Sequence, residues 1–81
     1  MKPESGGSLK EGDLAVAVRD AEVYRQPDEP RVIGTLKQGA VVTVGPGPFM
    51  GRVFFTIVRG AGPAEGCVPH NCLAKHTVAI P

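Results

Sequence analysis

The sequence predicts an all-β fold, a small closed barrel of five strands. Three observations carry that prediction. Runs of about five β-branched or aromatic residues recur along the chain, 11 glycines and eight prolines punctuate them, and no stretch of about ten to fifteen residues has the amphipathic period of a helix. A chain of 81 residues builds one core and leaves none for a second, burying roughly 60 per cent of its extended surface. Closure into a barrel also hides strand edges that would aggregate in a Val-rich protein.

Residues 1–12 read as a flexible leader, because Ser5-Gly6-Gly7-Ser8 offers little to bury against the cost of ordering it. The barrel spans residues 13–76, and residues 77–81 form a C-terminal tail. The first expected strand is residues 14–18, where every side chain is small or branched. Residues 19–31 carry charges with Pro27 and Pro30, which predicts a long excursion of little regular structure around a brief extended island at Val23-Tyr24.

The second and third expected strands are residues 32–36 and 40–44. Period-two alternation puts Val42 and Val44 on one face and Val41 and Thr43 on the other. Gly45-Pro46-Gly47-Pro48 ends the third strand by removing donors and forming turns. In the fourth strand, around residues 53–58, Phe55 and Ile57 share the core face while Phe54, Thr56 and Val58 point away. After the turn Gly60-Ala61-Gly62-Pro63, residues 66–68 make the fifth strand, and Pro69-His70-Asn71-Cys72 is a tight turn that directs Leu73 to the core.

Nine Lys and Arg against eight Asp and Glu leave a formal charge of +1, which gives no electrostatic reason to expect a nucleic acid or an anionic membrane as partner. The arginines are dispersed and interleaved with Asp20, Glu22, Asp28 and Glu29, and the aromatic set is sparse. Cys67 and Cys72 make no dense disulfide framework, which favours a reducing, cytoplasmic setting; with a signal or a longer parent chain, the cell envelope is the alternative. With His70 and His76 those two cysteines lack the ligand spacing of a structural zinc site, so no metal and no cofactor is expected. No HExxH, phosphate-binding loop or serine nucleophile elbow is present, and Cys72 with His70 has no third group to orient it, so the chain reads as noncatalytic.

Val23-Tyr24 with Pro27 beyond, then residues 32–39, then Gly66-Cys67-Val68-Pro69 with Leu73, occur in an order and spacing that resembles the SH3-like barrel family, most closely the bacterial SH3-type modules. The resemblance runs from Leu14 to about Lys75. A more degenerate resemblance is to the SH3 domains of eukaryotic signalling adaptors: Ala17-Val18-Arg19-Asp20-Ala21 stands at their Ala-Leu-Tyr-Asp-Tyr-like run, residues 66–73 at their closing segment, and Phe54 at the groove Trp. Arg19, Ala21 and Cys72 stand where that resemblance places three ligand-contacting tyrosines, so the aromatic slots for a polyproline helix are not rebuilt.

What the resemblance implies is a noncatalytic protein- or peptide-recognition or scaffolding module, with cell-wall targeting, structural assembly and nucleic-acid binding as alternatives. The implied ligand-binding residues are Tyr24, Asp28, Glu29, Phe54, Pro69 and Asn71. Phe54 and Pro69 supply apolar area, Tyr24 a hydroxyl, and Asp28, Glu29 and Asn71 orient a polar or basic ligand.

Overall fold

A computed structural model describes residues 9–76. The SGGS stretch and the expected tail at 77–81 lie outside the described residues. The fold is all-β: strands β1 (Leu14–Ala17), β2 (Ala21–Tyr24), β3 (Val32–Leu36), β4 (Val41–Val44), β5 (Arg52–Arg59), β6 (Glu65–Pro69) and β7 (Leu73–Lys75), with one 3-10 turn at His70–Cys72. Among the described residues no helix is long and apolar enough to cross a membrane.

The strands form one antiparallel sheet in the order β3-β2-β6-β5-β4-β1-β7. Two expectations are corrected here. Among the described residues the strands number seven rather than five, and no ladder joins β3 to β7, so the sheet is not a closed barrel. The added strands are β2 and β7. β2 falls inside the charged excursion, yet Ala-Glu-Val-Tyr alternates inward and outward, with Ala21 and Val23 buried, and pairs with β3 from Ala21↔Leu36 to Tyr24↔Val32. β7 is three residues long and pairs only with β1.

The core collects the inward residues of all these strands. Val42, Val44, Phe55, Leu36, Val68 and Leu73 are all buried, Ile57 packs against them, and Thr56 and Val58 face solvent, as alternation along β4 and β5 requires. Val41 is buried as well, at a register shift between Val41 and Val42. Ala15, Ala17 and Ala21 thin the core on the β1–β2 side, so Phe55 is its one large ring.

Gly66 sits directly opposite Phe55. A Cβ there would lie 2.5 Å from Val23 Cγ1 and 3.0 Å from the Tyr24 carbonyl oxygen, and the backbone holds φ at +155°. Only glycine lets β2, β6 and the Phe55 ring approach this closely.

The loops are tied by a few specific bonds. The Gly12 amide donates to the Val44 carbonyl, and Leu9 packs against the core. Asp20 accepts from the Gln38 amide at 2.8 Å and pairs with Lys37 Nζ at 3.0 Å, linking the turn after β1 to the turn after β3. These contacts, the Gln38 amide first and then the Lys37 ammonium, hold the Asp20 carboxyl below its ordinary range.

Candidate functional site

On the sheet face opposite the core, register fixes a row of side chains. Tyr24 of β2 stands across from Cys67 of β6, and Cys67 across from Phe54 of β5. One step along, Arg52 stands across from Pro69, and in the other direction Thr56 across from Glu65. β2 and β6 pair only at Tyr24↔Cys67, and the sheet opens beyond it. A groove of about 590 Å³ occupies that opening, with Phe54 and Thr56 on its floor, Arg25, Gln26 and Ile33 on one side, and Gly45 and Pro46 on the other.

Gly45 permits this shape, because a Cβ there would lie 3.0 Å from the Phe54 Cβ. Phe49 meets Phe54 edge-on, ring centroids 6.1 Å apart at 70°, and packs against the floor ring. Phe49 itself is 48 per cent exposed and Ile33 40 per cent, so the apolar surface continues out of the groove on both sides. A smaller cavity of about 420 Å³ adjoins it through the shared Arg25 and Ile33, and is closed by Glu29, Pro30 and Arg31.

Arg52 organises the other end of the row. Its guanidinium carbon lies 3.5 Å from the centroid of the Tyr24 ring, and its NH1 donates to the carbonyls of Pro27 at 2.9 Å and Glu29 at 2.7 Å. The Tyr24 hydroxyl donates to Glu22 Oε1 at 2.9 Å, and that carboxylate raises its pKa above the ordinary phenol value. Beneath the stack, Cys67 is fully buried, with Sγ 4.0 Å from the Arg25 carbonyl oxygen. Burial pushes the Cys67 thiol pKa up, and the nearby Arg52 charge acts in the opposite direction.

The six residues singled out in the sequence are therefore dispersed. Phe54 forms the groove floor, and Glu29 lines the smaller cavity while giving its carbonyl to Arg52. Tyr24 and Pro69 flank Arg52. Asp28 is exposed and makes no hydrogen bond or ion pair among the described residues. Asn71 is on the 3-10 turn, where its Oδ1 accepts from Arg19 NH2 at 3.2 Å and from the Cys72 thiol at 3.8 Å, and it lines neither cavity.

The ligand-binding set read from the sequence left out Arg25, Ile33, Pro46 and above all Arg52. The signal for Arg52 was present: it is two residues before Phe54 on one strand and so shares its face.

No family model, curated protein or solved structure matches this chain.

The cysteines are free and lie apart: Cys72, on the 3-10 turn, belongs to the core cluster, and Cys67, on β6, to the outer row. Among the described residues, no three His, Cys, Asp or Glu side chains come together as a metal cluster.

Proposed function

We propose that this chain is a noncatalytic SH3-like recognition module that takes up an apolar side chain of a protein or peptide partner in the groove beside Phe54. The observation that carries the proposal is the groove itself. An aromatic floor braced by Phe49, apolar walls at Ile33 and Pro46, and a polar rim of Arg25, Gln26 and Glu65 combine the apolar centre and polar edge of a recognition surface.

A conventional polyproline ligand fits this face poorly. Such a ligand needs aromatic walls on both sides of each proline. Here the Tyr24 ring carries the Arg52 guanidinium, and Cys72, which stands where the resemblance places a ligand-contacting tyrosine, is buried in the core. One apolar anchor in one groove is the chemistry left.

The test is a backbone amide NMR titration with proline-rich peptides, soluble cell-wall fragments and short single-stranded DNA, followed by calorimetry of the binder with intact and Phe54→Ala protein. Saturable shifts centred on Phe54, Ile33 and Pro46, with an affinity loss of about 2 kcal/mol in Phe54→Ala and unchanged spectral dispersion, support the proposal. Binding that survives Phe54→Ala and is abolished by substitutions on another face refutes it.

A further inference from the structure

The Arg25 carbonyl oxygen lies 4.0 Å from the fully buried Cys67 thiol, yet very little attaches residues 25–31 to the rest of the protein. Among the described residues, their one backbone–backbone hydrogen bond is internal, from the Glu29 amide to the Gln26 carbonyl at 3.2 Å. The Cys67 thiol reaches the Arg25 carbonyl at only 4.0 Å, beyond a full-strength bond. The two remaining bonds, to the Pro27 and Glu29 carbonyls, come from one guanidinium, which also rests on the Tyr24 ring at the segment's entry. That guanidinium is carried by β5, a central strand paired on both sides.

We infer that Arg52 is the positioning residue that latches segment 25–31 over Cys67, and that this segment opens as a local unit when the latch lets go. A charged donor shared by two carbonyls and stacked on a ring is a strong tie, but it is a single one, so its release frees the whole segment without disturbing the core. Arg25 and Gln26 belong to the groove wall, and Glu29, Pro30 and Arg31 to the smaller cavity, so one event opens both. That last consequence rests on the groove reading above. The latch itself does not, and its test uses no ligand.

The molecule carries its own reporter and its own control. Cys67 lies under the latch and Cys72 lies in the core, both free and buried. Alkylation by iodoacetamide at fixed pH, with each cysteine scored by fragment-ion mass spectrometry, separates local from global opening. In Arg52→Ala the Cys67 rate rises about tenfold or more, the factor that a loss of about 1.4 kcal/mol gives, while the Cys72 rate stays unchanged. Arg52→Lys, which keeps the charge without the planar fork, falls between the two. Val44→Ala, a core truncation, raises both rates together and shows what global loosening looks like.

A Cys67 rate unchanged in Arg52→Ala, or one that rises only in step with Cys72, overturns the inference. If Arg52→Ala does not fold, unaltered protein in urea below its midpoint decides the matter. Cys67 labelling then shows the weak urea dependence of local opening and Cys72 the steep dependence of global unfolding, and equal dependence for both thiols overturns the latch.

Discussion

Gly66→Ala adds one methyl group at a glycine of the sheet with no room for a Cβ. The new carbon arrives 2.5 Å from Val23 Cγ1 and 3.0 Å from the Tyr24 carbonyl oxygen, with Phe55 Cε1 at 3.7 Å. The valine methyl can yield only by pressing into a packed core, and the carbonyl oxygen is backbone. Overpacking of this kind costs about 1–3 kcal/mol, and an L side chain held at positive φ costs about 1–3 kcal/mol more. The narrower unfolded ensemble of Ala offsets about 0.4–1 kcal/mol, so the expected net loss is about 3 kcal/mol. Against a total of roughly 4–12 kcal/mol for a domain of this size, that is a large share.

The assay is urea unfolding followed by far-UV circular dichroism, since the chain has no Trp. Gly39→Ala is the control: φ is +92° there but nothing lies within 4 Å of the new methyl. It pays only the conformational term, about 1 kcal/mol. In a Val23→Ala background part of the crowding is gone, and Gly66→Ala should cost less than in the intact protein. The reasoning fails if Gly66→Ala loses less than about 0.5 kcal/mol, the ordinary surface range, or if it costs no more than Gly39→Ala. It also fails if the loss is the same with and without Val23.

Two further outcomes are expected. Phe55→Ala removes the one large core ring, 2 per cent exposed, and should lose about 3–5 kcal/mol by denaturant titration, whereas Phe54→Ala on the opposite face should leave the transition nearly in place. The pKa of Asp20 is depressed in the folded protein, so its contribution to stability is present above the unfolded value of about 3.9 and is lost as pH falls through the folded value. Thermal melts of intact and Asp20→Asn protein should therefore differ at neutral pH and converge at the acid end of the series.

Phe55, Ile57, Val42 and Val44 were legible in the sequence because period-two alternation in a long apolar run leaves one choice of face. Leu73 was legible because a tight turn after Pro69 had to point it somewhere apolar. β2 was masked by composition: its four residues alternate, but they stand between charged neighbours and two prolines that argue for a loop. Strand number and closure depend on which strands meet, and nothing local to Leu73–Lys75 announces that they pair with β1.

The same division holds at the candidate site. Phe54 could be read from its own strand, as an aromatic ring facing away from the core. The latch could not. Arg52 is one of nine cationic side chains, and its partners are the carbonyls of Pro27 and Glu29, groups that every residue possesses and that sequence cannot distinguish. Asn71 shows the converse error, a residue with suitable chemistry whose turn faces elsewhere, toward Arg19.

The placement of β1 between β4 and β7 has a consequence for synthesis. A ribosome delivers β1 first among these strands, and β4 can cover one of its edges when only about half the sheet-forming chain has emerged. Its other edge waits for Leu73–Lys75, so nearly the whole domain must be made before the Val16↔Ala74 pairing can form. Through that interval the nascent chain displays Leu14-Ala15-Val16-Ala17 as an apolar strand with one edge still unpaired, the period in which a chaperone or a neighbouring nascent chain would find it.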